Sequence, residues 1–280
     1  MKKWWPAIVA VLILIIGIFV YIYFFHSNTT PMLADIGSKD EEKVEHKDEE
    51  KVVDKSIYLI YGRDMSSEEG KTKEVKVETD LIITATLDPV SKTIDILFIP
   101  PNTVLEDNQE VKIIYDKEGI AGLKAGIEKL TGKKINGYIG IDYQPFVQLI
   151  DILGGIQVRM DESIDLPKYG LFIHPGINKL NGEETLKLLR LKRSKTNVLE
   201  RIERQKKVIM AIYERLIEIK NFSQIQKVGD AVLQVREKLE TDIESAQILK
   251  GFKFFSQGIE KVNVEILPGE LINGLWIPAE

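Results

Sequence analysis

The sequence predicts an α/β fold: a layered α/β/α domain on one central mixed sheet, preceded by a single transmembrane helix. Three observations support this prediction. Short apolar runs rich in β-branched residues alternate along the chain with segments whose apolar residues recur at helical spacing. A turn signal at Asp88-Pro89 joins two of the apolar runs and indicates an antiparallel hairpin. An uncharged stretch near the N-terminus is long enough to cross a bilayer.

The first 25 residues are typical of a membrane anchor. Every residue from Pro6 to Phe25 is uncharged, and twenty residues at about 1.5 Å rise per residue just cross a bilayer core. Lys2 and Lys3 precede this run, which places the N-terminus in the cytoplasm. A cleaved signal peptide is the alternative, but it needs small residues near the cut and this run ends in Tyr-Ile-Tyr-Phe-Phe. We expect residues 1–25 to form a cytoplasmic stub and anchor, with the domain outside.

The next segment, residues 26–55, is predicted to be a charged extracytoplasmic linker. It continues as KDEEKVEHKDEEKVVDK, which has few apolar residues and dense charge of both signs. Such a segment cannot bury enough apolar surface to fold alone, so a solvated tether is favoured. The folded domain is therefore expected to comprise residues 56–280.

Strand-like and helix-like segments alternate after the linker. A strand at 56–61 opens the domain, and runs at 80–87 and 93–99 flank the Asp88-Pro89 turn. Two amphipathic helices follow, and each stops at glycine. Their apolar stripes are Ile120, Leu123, Ile127 and Leu130 in 120–131, and Phe146, Leu149, Ile150 and Leu153 in 145–153. A strand at 156–160 comes next, and the longest helix is predicted at 198–220.

Composition excludes several classes of function. There is no cysteine, which rules out disulfides, thiolate zinc sites and cysteine nucleophiles. The three histidines are scattered and share no metal-ligand spacing. A net charge of -5 and a pI near 5.5 oppose binding to nucleic acid.

The segment from Asn181 to Lys207 is the most informative part of the chain. Asn181 with Glu184, and Asn197 with Glu200, have the spacing of two helix capping boxes. The two helices would bring together three polar side chains, those of Arg190, Arg201 and Gln205. Arg201 and Gln205 are four residues apart and therefore lie on one helix face.

This segment carries nine basic and four acidic residues in a protein that is acidic overall. A local basic excess suits an anionic ligand, and the two donors of an arginine fork match two phosphate oxygens. Spacing alone leaves open the alternative of a solvated basic helical hairpin.

The motifs around these arginines resemble the LytR-CpsA-Psr (LCP) family. The resemblance includes the Asn-Gly-Glu opening at 181–183, an Arg-x-Lys in place of Arg-x-Arg at Arg190, and Arg-x-x-Arg-Gln at 201–205. It extends from about Ser56 to the C-terminus and includes FVQLIDILGGIQV at 146–158 and LPGE at 267–270. Family members are membrane-anchored enzymes that transfer anionic glycopolymers, such as teichoic acid or capsule, from a polyprenyl diphosphate carrier onto peptidoglycan.

The resemblance implies an extracytoplasmic phosphotransferase site in this chain. The implied partners are a polyprenyl diphosphate-linked glycopolymer, peptidoglycan and the membrane, and not nucleic acid. Asp64 and Asp80 match the family's two aspartates, which would share Mg²⁺ or Mn²⁺ that is weakly held without diphosphate. The implied catalytic residues are Asp64, Asp80, Arg190, Arg201 and Gln205, and the implied phosphate-binding residues are Arg63, Lys112, Lys192, Arg193 and Arg204. An apolar tunnel for the polyprenyl chain is implied between the sheet and the helices at 120–131, 143–153 and 198–220.

Two positions depart from the family pattern. Glu78 stands where the family has an arginine, and Pro101, followed by Asn102, replaces an Arg-Asp pair. Each charge-assisted hydrogen bond is worth roughly 1.5–3 kcal/mol, so two missing arginines would slow transfer by about a hundred- to ten-thousandfold without compensation. Two functions therefore remain: a transferase, or a relative that binds lipid-linked glycan or assists an active paralogue without catalysing transfer.

Overall fold

The computed structural model describes residues 55–64, 77–106, 108–191, 198–218, 238–244 and 259–279, together with Val235, Gln247 and Phe254. The predicted transmembrane helix and nearly all of the linker lie outside these residues, as do Lys192, Arg193 and the second capping residue, Asn197. None of the helices in the described ranges is both long and apolar enough to cross a membrane.

A mixed sheet organises the described part of the chain, as the sequence predicted. Its six strands lie in the order β10-β3-β2-β1-β4-β9. Strand β1 pairs antiparallel with β2 and parallel with β4, while β3 pairs antiparallel with β2 and parallel with β10. The strands are β1 (Ser56–Asp64), β2 (Glu78–Asp88), β3 (Thr93–Phe98), β4 (Gly137–Asp142), β9 (Glu240–Thr241) and β10 (Lys261–Ile266).

Three two-stranded units complete the strand structure of the described residues. In each unit the strands run antiparallel, and the C-terminal unit is a hairpin whose β12 contacts the loop after β3. The units are β5 (Ile156–Met160) with β8 (Gly176–Leu180), β6 (Ile164–Leu166) with β7 (Leu171–Ile173), and β11 (Gly269–Ile272) with β12 (Leu275–Pro278).

The predicted hairpin at Asp88 is confirmed, with Asp88 paired to Thr93. The Asp88 carboxylate accepts the backbone N–H groups of Val90 and Ser91 and lies 3.0 Å from the Lys55 ammonium. Burial alone would raise the pKa of Asp88, but these hydrogen bonds outweigh it and lower the pKa to about 2. The turn is therefore fixed by an aspartate that stays ionised.

Helices cover both faces of the sheet, which gives the layered arrangement. Helix α1 packs its Leu123 and Ile127 against one face, and α4 packs its Ile202 and Ile209 against the other. A third apolar cluster joins α2, α3 and α4 to the small β5–β8 units. The helices in the described ranges are α1 (Val111–Thr131), α2 (Tyr143–Ile152), α3 (Gly182–Arg190) and α4 (Val198–Ile217).

Helix α1 begins nine residues before the predicted helix and is broken at Gly119. The φ angle of Gly119 is 65°, so Val111–Glu118 and Ile120–Thr131 are two helical pieces. A left-handed residue in this position is easy for glycine and costly for residues with a Cβ. The predicted helix covers only the second piece, since VKIIYDKE is rich in β-branched residues and lacks a clear helical stripe.

Helices α2 and α3 pack in direct backbone contact at Gly182. A Cβ at Gly182 would lie 2.3 Å from the carbonyl oxygen of Val147 in α2. The Gly182 N–H donates to Asp151 Oδ1 at 2.7 Å, and the predicted capping box of Asn181 with Glu184 is confirmed. Within the Asn-Gly-Glu motif, Asn181 thus caps the helix and Gly182 permits the close approach, while Glu184, directly after the motif, completes the capping box.

Candidate functional site

A β-bulge sets the position of Asp80. Gly62 of β1 lies opposite Leu81, whereas the next residue, Arg63, lies opposite Thr79. Asp80 is therefore an extra residue in β2. A bulge leaves its extra residue out of the ladder and redirects its side chain, and here both the carbonyl and the carboxylate of Asp80 are taken up by neighbouring helices.

Helix α4 contacts Asp80 through two side chains on one face. Arg201 donates through Nη2 to the Asp80 carbonyl oxygen at 2.6 Å and lies 3.1 Å from Asp80 Oδ2. Gln205, one turn later, donates through Nε2 to the same carbonyl at 3.3 Å. Arg201 Nε is buried and has no hydrogen-bond partner among the described residues. The structure thus brings Asp80, Arg201 and Gln205 together and leaves one arginine donor facing no acceptor.

Tyr143 joins the remaining arginine to this group. Its hydroxyl donates to Asp80 Oδ2 at 3.2 Å, and the guanidinium carbon of Arg190 lies 4.3 Å from its ring centroid. Tyr143 was not among the residues that the sequence indicated, since the predicted apolar stripe of this helix begins at Phe146. The available signal was a hydroxyl-bearing aromatic directly after β4, at the point where a strand passes into a helix.

Glycine leaves space beside the Asp80 carboxylate. A Cβ at Gly62 would lie 3.4 Å from Asp80 Oδ1. Two residues later Asp64 ends β1 with its backbone paired to Glu78; its side chain is outside the described part. Thr79 donates to the Lys112 carbonyl of α1, so strand alternation puts Glu78 on the Asp80 face. Glu78 therefore lies on the face of the sheet that carries the candidate site.

The structure places Arg63 away from Asp80. Arg63 makes a forked pair with Asp142 at 2.6 and 2.8 Å, and it also contacts Glu240 and the Tyr115 hydroxyl of α1. Burial alone would lower the pKa of Arg63, but its hydrogen bonds to Asp142 and Tyr115 outweigh burial and raise it. Arg63 thus ties β1 to β4, β9 and α1, and its predicted contact with phosphate gains no support.

Arg204 and Lys112 are also engaged by other groups. Arg204 is buried and donates to the Leu191 carbonyl, just past the end of α3, and to Glu200 at 2.6 Å. Lys112 Nζ lies 2.7 Å from Glu110 Oε2, and the Lys112 side chain is partly exposed. Arg204 therefore holds α4 to the end of α3, next to Arg190. Phosphate binding by Lys112 and Arg204 stays a prediction. The same holds for Lys192 and Arg193, which lie outside the described residues.

Pro101, where the resemblance leads us to expect an arginine, lies in a buried loop. Pro101 is buried, and its carbonyl accepts the Lys112 N–H at 2.8 Å. The side chain of the next residue, Asn102, donates to the Gly274 carbonyl, and the backbone carbonyl of Asn102 accepts the backbone N–H of Trp276. The C-terminal hairpin thus fixes this loop against the start of α1.

The predicted tunnel cannot be enclosed by all three of its proposed helices. Helix α1 packs with Leu59 and Ile82, whereas α4 packs with Ile60 and Ile83 on the opposite face of the sheet. Successive residues of a strand point to opposite faces. The part of the expectation that included helix 120–131 is therefore wrong, because a lipid path beside Arg201 would lie on the face of the sheet that α4 covers.

The described residues contain no group of three or more metal-ligating side chains. Asp80 supplies a carboxylate, the oxygen ligand that Mg²⁺ prefers, and Gly62 leaves room near Oδ1. This donor chemistry fits an ion that takes most of its ligands from water and a diphosphate.

Comparison with known proteins identifies relatives of this chain. The model of the LytR_cpsA_psr family matches residues 19–279. The polyisoprenyl-teichoic acid–peptidoglycan teichoic acid transferase TagV of Bacillus subtilis is 29% identical over 207 residues, 67% of this chain and 52% of TagV. The chain thus spans about half the length of that relative. The transferase TagU of Bacillus cereus is 25% identical over 281 residues, which cover 94% of this chain and 88% of TagU.

Solved structures share the fold. The crystal structure of B. subtilis TagV superposes with a TM-score of 0.65 at 24% identity, covering 80% of this chain and 91% of that one. A structure of TagT bound to LI-WTA superposes with a TM-score of 0.60 at 17% identity, over 81% of this chain and 84% of TagT.

Proposed function

The chain belongs to the LytR-CpsA-Psr family, and from this premise we propose that it transfers an anionic glycopolymer from a polyprenyl diphosphate carrier onto peptidoglycan. The relatives TagV and TagU are named as teichoic acid–peptidoglycan transferases. The acceptor hydroxyl would attack the phosphorus that bears the glycopolymer. A new P–O bond forms, the diphosphate P–O bond breaks, polyprenyl monophosphate leaves, and the hydroxyl proton passes to the leaving phosphate or to water.

The observation that supports this function most strongly is the buried Nε of Arg201, which has no hydrogen-bond partner among the described residues. A buried donor without an acceptor is costly in a folded protein, so a water molecule or a ligand is expected to complete its hydrogen bonding. The Asp80 carbonyl and carboxylate fix the other side of this guanidinium. Arg201 is therefore held in position before any phosphate arrives.

The charges around Asp80 explain why a metal belongs in the proposal. Arg190 and Arg201 bring two positive charges, which Asp80 and Glu78 balance on the same side of the sheet. A diphosphate would then meet little net attraction from these four residues. Asp80, with Asp64, would hold Mg²⁺ or Mn²⁺, which supplies positive charge for the phosphate oxygens.

The proposal predicts that Arg201→Ala weakens binding of a soluble polyprenyl diphosphate, such as geranyl diphosphate, by roughly ten- to a hundredfold. Arg190→Ala should act in the same direction. Binding is measured by calorimetry on the detergent-solubilised full chain with Mg²⁺. Lys206→Ala on α4, which removes the ion-pair partner of the exposed Glu203, is the charge-matched control and should bind normally. Equal binding by Arg201→Ala and the control would refute the assigned site.

Metal binding should depend on the diphosphate. Two carboxylates leave most of the coordination shell to water, so the chain alone should bind Mg²⁺ weakly. Adding geranyl diphosphate should tighten binding by about tenfold or more, as measured with Mn²⁺ by electron paramagnetic resonance. Tight binding without diphosphate would contradict this arrangement.

A second function is favoured by Glu78 and Pro101. Glu78 lies on the Asp80 face, and the buried Pro101 has no side-chain donor. A relative of this kind would bind lipid-linked glycan, or assist an active paralogue, without turnover. Release of polyprenyl monophosphate by the purified chain distinguishes the transferase from the binding protein, since only the transferase breaks the diphosphate.

We also propose that the protein is a single-pass membrane protein whose domain lies outside the cell membrane. Lys2-Lys3 and the uncharged Pro6–Phe25 run support this topology. Protease added to intact protoplasts should remove the domain from the cells. Protection of the domain until the membrane is permeabilised would reverse the topology.

A further inference from the structure

We propose that Tyr143 is the positioning residue of the diphosphate site, holding Arg190 with its ring and Asp80 with its hydroxyl. This inference rests on the proposed function and concerns the same site. Its basis is that one side chain contacts both groups, with the hydroxyl 3.2 Å from Asp80 Oδ2 and the ring centroid 4.3 Å from the Arg190 guanidinium carbon.

Tyr143 is itself firmly placed by its neighbour. It is the first residue of α2. The residue before it, Asp142, ends β4 and accepts two hydrogen bonds from the Arg63 guanidinium. Arg63 also contacts Glu240 and the Tyr115 hydroxyl. The strand end that carries Tyr143 is therefore anchored by an ion-pair network that includes β1 and β9. This gives Arg63 a supporting function behind the site.

Arg190 needs such a support. It is the last residue of α3, and its long side chain loses much freedom when it is fixed against a ligand. A guanidinium stacked on an aromatic ring is partly ordered before a ligand binds. The ring thus prepares Arg190 for a phosphate, while the hydroxyl orients the Asp80 carboxylate.

Two variants separate these contributions. Tyr143→Phe keeps the ring and removes the hydroxyl, whereas Tyr143→Leu removes both. On full-length chain labelled with ¹⁵Nε-arginine and solubilised in detergent, the Arg190 Hε resonance should be shifted upfield by the ring. Arg190→Lys assigns this resonance. The shift should persist in Tyr143→Phe and disappear in Tyr143→Leu; an unchanged resonance in Tyr143→Leu would overturn the contact.

Affinity for geranyl diphosphate with Mg²⁺ provides the second measurement. Tyr143→Leu should weaken binding by about tenfold, and Tyr143→Phe should restore most of it. In an Arg190→Ala background, Tyr143→Leu should cost no more than the small loss that Tyr143→Phe causes, because the ring acts through Arg190 and only the hydroxyl contact with Asp80 remains to be lost. Full additivity of the two losses would refute positioning.

Failure of the inference and failure of the proposed function give different results. Wild-type chain that binds no geranyl diphosphate contradicts the proposed function, and the Arg190 resonance then still decides whether Tyr143 holds Arg190. Wild-type chain that binds, together with a Tyr143→Leu variant that binds equally well, contradicts the inference alone.

Discussion

Gly182→Ala should lower the free energy of unfolding by roughly 3 kcal/mol or more, a value at the severe end for single substitutions. The new Cβ would lie 2.3 Å from the Val147 carbonyl oxygen. The obstacle is backbone, so relief requires α2 and α3 to move apart. That movement also strains the hydrogen bond from the Gly182 N–H to Asp151. Urea denaturation followed by circular dichroism measures the loss.

Gly126→Ala is the matched control for this prediction. Its Cβ would meet only the side-chain ends of Leu105 and Ile114, at 3.0 and 3.3 Å, and alanine favours the helix by about 1 kcal/mol. The control should remain within about 1 kcal/mol of wild type. Equal stability of Gly182→Ala and Gly126→Ala would show that the α2–α3 contact yields easily.

The double variant Glu78→Arg with Pro101→Arg should raise diphosphate turnover by about tenfold or more if the lost arginines limit the reaction. Each regained charge-assisted contact is worth roughly 1.5–3 kcal/mol, with some loss to imperfect placement. Glu78→Arg should contribute more, because Pro101 is buried and an arginine must find room there. Release of polyprenyl monophosphate is the measurement.

Glu78→Gln with Pro101→Gln is the control, since it removes the negative charge without adding a positive one. A gain equal to that of the double arginine variant would show that Glu78 repels the diphosphate and that no donor is missing. A wild-type rate as high as the double arginine variant would mean that another cation compensates. Lys112, which is partly exposed and bonded to the Pro101 carbonyl through its N–H, is then a better candidate than Arg63, which Asp142 holds.

Local patterns predicted much of the fold. The Asp88-Pro89 turn and the apolar runs beside it gave β2 and β3, since a hairpin is set by residues close in sequence. The glycine stops at Gly132 and Gly154 gave the ends of α1 and α2 closely. The first piece of α1 was missed, because its helix depends on packing against the sheet and on the break at Gly119.

The site was predicted only where its contacts depend on residues close in sequence. Arg201 and Gln205 share a helix face, so their spacing alone brings them to one target. Arg63 was expected at the phosphates, yet it pairs with Asp142 and Glu240, which are 79 and 177 residues away in sequence. Tyr143 contacts Asp80 from 63 residues away. Such partners follow from strand order, which no local pattern in the chain reveals.

The bulge at Asp80 makes β2 unusually sensitive to the loss of a single residue. Residues on the two sides of the bulge follow opposite alternation rules, so losing one codon between Glu78 and Leu81 would let a regular ladder form with β1. The apolar composition of the strand would hardly change. The carbonyl that receives Arg201 and Gln205 would nevertheless be drawn into strand pairing. Substitutions in this segment are therefore tolerated far more readily than the deletion of a residue.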